Sequence, residues 1–321
     1  MLETKLDTVD SMSFKLASKV KDYFLLIKFT LSFMVVFSTV ICYLLAPNIQ
    51  FNIVQVLLLF TGGMLVTGAA NAINQILEKD TDAMMKRTAA RPLASGRMSD
   101  AEGWIFVVVA GLVGIYIMYT FSIEAALLSL FSLLLYGFVY TPLKKVNSIA
   151  VLVGAIPGAL PCLIGWTASF GDDDNNWTGG WVLFAIQFLW QFPHFWAIAW
   201  VAHKDYNAAG FKLLPGDQGP TKFTALQTIV YSALMIPVGF LPYLLRISGI
   251  ESMWILLICN LMMVALSIIL FIRMDLASAR RVMFGSYFYL MIVFLSLYAN
   301  KYRTEVPTEQ LTSVVEKSLN R

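Results

Sequence analysis

Nine apolar runs divide this chain, each long enough to approach or cross the about 30 Å hydrocarbon core of a bilayer. They fall near residues 25–46, 52–76, 104–121, 124–140, 149–169, 181–201, 223–245, 253–272 and 282–300. The third and fourth are short and separated only by Ser122 and Ile123, which predicts a tight hairpin. Charged residues make up 13% of the chain and hydrophobic ones 58%; a soluble domain carries about 25% charge, so that class is excluded. In lipid each backbone amide must be satisfied within its own segment, and helices do this. The expected fold is therefore all-α: a polytopic membrane protein, a nine-helix transmembrane bundle. Residues 1–22 are expected to form an amino-terminal tail, 23–300 the nine-span domain and 301–321 a polar carboxyl tail.

The basic residues orient the bundle. Eighteen of the 23 lysines and arginines fall before the first run or in alternate loops on the same side, among them Lys79–Arg97, Lys144, Lys145, Lys204 and Arg273. By the positive-inside rule that side, and the amino terminus, is cytoplasmic, and the carboxyl terminus lies opposite. The net charge of +3 thus reflects topology, and no nucleic-acid partner is expected. Glu3, Asp7, Asp10 and Asp22 among the early lysines argue against an organellar presequence, and no small-residue cleavage site marks a signal peptide. Cys42, Cys162 and Cys259 are isolated in apolar runs and suggest neither a disulfide framework nor a zinc site.

Chemistry concentrates in NAINQILEKDTDAMMKRTAARPLASGR, residues 71–97. Four helical residues turn about 400°, so Asn74, Glu78 and Asp82 drift only ~40° per step and share one stripe, with Asp80 roughly 200° from Glu78 and facing away. Two carboxylates and an amide at a membrane rim suit Mg²⁺, which takes a few protein oxygens together with water and phosphate oxygens. Lys86, Arg87 and Arg91 then stand ready for the phosphates. The competing reading is a solvated loop with Asp82–Lys86 as an ordinary helical pair. A second dense loop follows the sixth run, where Asp205 is a further cation-ligand candidate and Lys204 a phosphate contact; both also fit snorkelling charges at a span end. By contrast, Asp172, Asp173 and Asp174 read as a solvated turn. The two dense loops are four spans apart, which suggests related four-helix halves plus a ninth helix.

Polar groups inside the spans are few. His194 lies nine residues, about 13 Å along a helix, from His203 at the span end. An ionisable residue at that depth faces a cavity or a partner, and Pro193 beside it frees a carbonyl one turn back. Trp190, Phe192, Phe195, Trp196 and Trp200 offer flat apolar surfaces nearby. The fifth run holds Gly154, Pro157, Gly158, Pro161 and Gly165, which predict a bent helix, close packing or a cavity wall. The basic Lys144–Lys145 loop feeding it favours the cavity wall.

Three pieces, NAINQILEKDTDAMMKRTAARPL, YTPLKKVNSIAVLVGAIPGALPCLIGW and WQFPHFWAIAWVAHKDYNAAGFKLLP, resemble the intramembrane aromatic prenyltransferase superfamily, and within it the haem O synthase family. The N-x-x-x-[DE]-x-x-x-D pattern marks the superfamily. The M-x-R-T-x-x-R-P-L continuation, the G-A-x-P-G-A-x-P run and P-H-F-W followed by K-D point to haem. The resemblance implies a bundle whose central cavity opens near the cytoplasmic rim, in a bacterial inner membrane. It implies transfer of the farnesyl group of farnesyl diphosphate to a vinyl group of haem b with addition of water, Mg²⁺ as cofactor, and haem A synthase or terminal-oxidase assembly as partners. Asn74, Glu78 and Asp82 fall on the first diphosphate–Mg²⁺ motif, Arg87 and Arg91 on its basic extension, and Lys204 and Asp205 on the remains of the second. Lys144 joins the diphosphate contacts and His194 becomes a haem contact. Glu78 stands where many members have Asp, and only one aspartate remains of the second motif. Three other functions stay open: prenylation of a quinone precursor such as 4-hydroxybenzoate, secondary transport, and non-catalytic haem delivery.

Overall fold

The computed structural model describes residues 17–47, 49–171, 176–216 and 219–302; most of both tails and the Asp172–Asp174 turn lie outside them. Everything described is helical or loop apart from one isolated bridge between Ser248 and Lys301. In chain order the helices are α1 (Ala17–Leu26), α2 (Phe29–Leu45), α3 (Ile53–Leu77), α4 (Lys79–Met84), α5 (Asp100–Tyr119), α6 (Ile123–Leu143), α7 (Ala150–Thr167), α8 (Thr178–Val201), α9 (His203–Ala208), α10 (Lys222–Leu244), α11 (Ile250–Arg273) and α12 (Leu276–Ala299). Eight of these are long and apolar enough to cross a membrane singly, and the bent pair α1–α2 brings the number to nine. The protein is a multi-pass membrane protein.

Local chemistry sets the helix starts. Asn52, Ser99, Ser122, Thr221 and Asp275 each accept a backbone N–H of the first turn that follows, satisfying donors a helix leaves orphaned. Ser122 thereby fixes the expected hairpin between α5 and α6. At the opposite end of the bundle from residues 78–99, Lys301 donates to the carbonyls of Leu44 and Ala46, 2.8 and 2.6 Å away, and closes the carboxyl end of α2.

The first run departs from expectation. It is already helical at Ala17, the first described residue, and bends by 55° between α1 and α2. Lys19 of α1 pairs with Glu102 at 2.8 Å and Asp22 with Arg97 at 2.9 Å, so α1 is clipped to the first turn of α5 and the loop before it.

The innermost span is α7, with 78% of its apolar stretch buried, against 67% for α8 and at most 39% for the other straight spans. It packs on α2, α6 and α8. Its glycines serve close packing: Gly154 faces the Tyr140 ring, Gly158 the Gln191 amide, and Gly165 the Thr39 carbonyl, where a β-carbon has no room. The helix runs unbroken through Pro157 and Pro161. The Pro157 carbonyl, deprived of its usual donor by Pro161, accepts the Ser132 hydroxyl at 3.4 Å. Clefts of about 220 and 290 Å³ open nearby, one beneath residues 203–219 and one where the start of α7 meets the α6–α7 loop, α8 and α10.

Candidate functional site

The site is built on two interrupted helices. At the α1–α2 bend Lys28 adopts the left-handed conformation, φ 48°, at a cost of order 1–3 kcal/mol for a residue other than glycine. The bend strands carbonyls that α3 then collects. Gln75 donates to Leu25 and Leu26, both at 2.8 Å, and Asn71 donates to Ile27 at 3.2 Å. Ser32 donates to Ile27 as well, at 2.6 Å. Polar side chains on α3 thus hold the bend open beside the next residue of that helix face, Asn74.

The second interruption corrects the expected regular helix through residues 74–82. The α3 helix ends at Leu77, Glu78 caps it, and α4 restarts at Lys79. Despite the break Asn74, Glu78 and Asp82 are all buried, at 1%, 4% and 1% exposure, while Asp80 is exposed. The expected sorting of faces therefore holds.

Each of the three buried groups receives its own cation. Lys28 Nζ donates to Asn74 Oδ1 at 2.6 Å. Lys144 Nζ lies 2.6 Å from Glu78 Oε1 and 2.8 Å from Oε2. Arg91 Nη1 lies 2.6 Å from Asp82 Oδ2. Asn74 also donates to Glu78 Oε2 at 2.8 Å and to the Thr141 hydroxyl at 3.2 Å. Thr141 in turn donates to the Tyr136 carbonyl at 3.0 Å, across the π-helical turn Leu135–Tyr140 that ends the long part of α6. Burial pulls the Lys144 ammonium below its ordinary value, and the Glu78 carboxylate opposes that pull.

The two dense loops meet here. Arg87 donates to the Tyr206 hydroxyl at 3.0 Å and lies over its ring. Met85 packs with Ala209 and Phe211, and the Lys212 amide donates to the Lys144 carbonyl at 2.8 Å. Lys86, Lys204 and Asp205 are exposed, and Lys204 and Asp205 form no side-chain hydrogen bond or ion pair among the described residues. His194 lies in α8 against α12: its Nδ1 is 2.8 Å from the Ser286 hydroxyl, and its ring stacks on Trp190 at 4.6 Å.

Lys28, Thr141 and Tyr206 were not found by sequence reasoning. Lys28 counts in sequence only as a basic residue near a span end; the signal that it does more is a lysine inside an apolar run, since such a charge needs a partner. Thr141 and Tyr206 carry no comparable signal.

Among the described residues no group of three or more His, Cys, Asp or Glu side chains comes together. A borderline metal such as zinc is thus poorly served. The oxygen set of Asn74, Glu78 and Asp82 fits a hard divalent cation, and Glu78 Oε1 is buried without an aligned hydrogen-bond donor.

The described residues thus form a multi-helix membrane bundle that carries a buried oxygen cluster ringed by cations at one rim. The chain belongs to the UbiA prenyltransferase family, whose profile matches residues 35–296. It is 44% identical over 287 residues to the protoheme IX farnesyltransferase of Cytophaga hutchinsonii, covering 89% of this chain and 99% of that protein. Its fold is similar to that of a digeranylgeranylglyceryl phosphate synthase, with TM-score 0.73 at 22% identity over 88% of this chain and 98% of that one. A UbiA homologue from Archaeoglobus fulgidus, bound to GPP and Mg²⁺, matches with TM-score 0.60 at 16% identity, over 86% and 99% of the two chains.

Proposed function

We propose that this protein transfers the farnesyl group of farnesyl diphosphate to a vinyl group of haem b, with addition of water, to give haem O. The observation that carries the transferase half is the one-to-one pairing of three buried oxygen groups with three cations at the mouth of the bundle. The acceptor rests on the likeness, over nearly its full length, to a protein named for farnesyl transfer to protoheme IX.

Asn74, Glu78 and Asp82 would hold a Mg²⁺ ion, which when bound supplies positive charge to the departing diphosphate. Lys144 and Arg91, released from the carboxylates, would turn to the diphosphate oxygens, with Lys86, Arg87 and Lys204 at the rim. Asp205, exposed on the second loop, would assist from the solvent side. Such preorganised charge favours breaking the allylic C–O bond, because negative charge grows on the leaving oxygen. The terminal carbon of the haem vinyl group then donates its π electrons to the farnesyl cation and forms the new C–C bond. Water adds to the cation left beside the porphyrin and loses a proton. His194 would meet the haem in the apolar part of the bundle. The clustering of basic residues at the end bearing the site supports a cytoplasmic location for that end, in a bacterial inner membrane.

The test is to incubate the purified protein with haem b, farnesyl diphosphate and Mg²⁺ and to weigh the haem product. A haem heavier by one farnesyl group and one hydroxyl is expected, and chelation of Mg²⁺ should abolish it. Product with 4-hydroxybenzoate and none with haem would overturn the acceptor.

A further inference from the structure

Lys28 is a cation inside an apolar run, held in a strained backbone conformation that three neighbouring side chains maintain. The bend spends Asn71 and Gln75 of α3 on stranded carbonyls, and its outcome is to deliver one ammonium to Asn74 Oδ1. Strain that its surroundings over-determine is characteristic of working sites. The Lys28 charge is also close enough to Arg91 and Lys144 to be repelled by both. Three like charges gathered at one rim are unfavourable unless something anionic joins them.

We infer that Lys28 is a third arm of a diphosphate clamp, presented by the α1–α2 bend, and that it keeps the metal position closed until a prenyl diphosphate arrives. The inference rests on the transferase reading above. With Lys28, Lys144 and Arg91 on Asn74, Glu78 and Asp82, a divalent cation arriving alone must displace three positive groups with nothing to receive them. A diphosphate supplies that destination, so metal and prenyl diphosphate bind together more tightly than the two separately. A lysine serving only helix packing would produce no such coupling.

The experiment is a pair of titrations on the full-length protein in detergent. Mn²⁺ is titrated alone and followed by electron paramagnetic resonance. Farnesyl thiolodiphosphate, a slowly reacting analogue, is titrated in the presence of Mg²⁺ by calorimetry. Lys28→Met should weaken analogue binding about 10- to 100-fold, the worth of one charge-assisted contact, while binding Mn²⁺ alone more tightly than the wild type. Lys28→Arg should restore the analogue to near wild-type affinity. Should Lys28→Met not insert, Lys28→Gln keeps a hydrogen bond to Asn74 without the charge and carries the same two expectations. Unchanged analogue binding in these neutral variants overturns the inference, and so does unchanged or weakened Mn²⁺ binding. Failure of the wild type itself to bind the analogue would instead overturn the transferase reading.

Discussion

Lys144 reaches Glu78 across 66 positions of chain, its ammonium 2.6 Å from one carboxylate oxygen and 2.8 Å from the other, with both residues buried. The pair joins the α6–α7 loop to the break between α3 and α4, so it fixes the mouth of the bundle and the metal-ligand candidate in one contact. Removing one partner of such a pair leaves an uncompensated charge, at a cost of about 3–5 kcal/mol.

That cost gives a measurable signature. Lys144→Met should lower the melting temperature of the detergent-solubilised protein, and Mg²⁺ should raise it again by more than it raises the wild type, because the ion takes up the charge on Glu78. An equal Mg²⁺ shift in both proteins would show that Glu78 does not face the metal.

Asp82 and Asp80 are two residues apart yet differently placed, one buried on Arg91 and the other exposed. Asp82→Asn should insert normally and lose most of its turnover, since it deletes a charge facing the metal position. Asp80→Asn should stay within about twofold of wild type, as surface changes do. Equal losses in a product assay would remove the distinction between the two faces.

How much of this was legible in the sequence follows the physics of each feature. Span number is set by apolar length, and it could be read directly. The common face of Asn74, Glu78 and Asp82 could be read from helical spacing, although the break at Glu78 could not: nothing in LEKD demands a cap there. The bend at Lys28 was hidden because its causes lie elsewhere, in Asn71 and Gln75 of another helix. Helix periodicity carries no information about such partners. The breakers of α7 were ambiguous for a similar reason, since a glycine that opens a cavity and one that admits Gln191 or a neighbouring backbone look alike in sequence.

Arg87 and Tyr206 tie the two loops at the mouth by a hydrogen bond of 3.0 Å and a cation–ring contact of 5.5 Å. Arg87→Ala should raise the KM for farnesyl diphosphate. The Tyr206→Phe change, which keeps the ring and removes the hydroxyl, should have the smaller effect. Removing an exposed cation–ring contact is worth about two- to fivefold, and a larger loss in Arg87→Ala measures a direct contact with the diphosphate. Equal KM values in both variants and wild type would leave Arg87 with topology alone.

Gly165 lies where a β-carbon would run into the Thr39 carbonyl of α2, a backbone atom that cannot swing aside. Gly165→Ala should therefore cost at least the 1–3 kcal/mol typical of overpacking. Gly111, whose added carbon would sit 3.7 Å from Leu133, should accept alanine. Thermal melting of the two variants in the same detergent tests the contrast; similar melting temperatures would mean that α2 and α7 are less tightly apposed.

The Ser286 hydroxyl is placed to donate to the Met283 carbonyl at 2.6 Å, and in that arrangement it accepts from His194. With Nδ1 as the donor in the 2.8 Å contact, Nε2 has a free lone pair. A neutral imidazole in that tautomer is suited to meet haem iron, with Ser286 orienting it from behind. His194→Ala should lower haem affinity or shift the haem absorption bands while farnesyl diphosphate binding stays near wild type. Ser286→Ala should keep the ligand but loosen its orientation, giving a smaller shift of the same bands. A His194→Ala protein with the wild-type haem spectrum and wild-type product rate would return this histidine to packing between Trp190 and Tyr287.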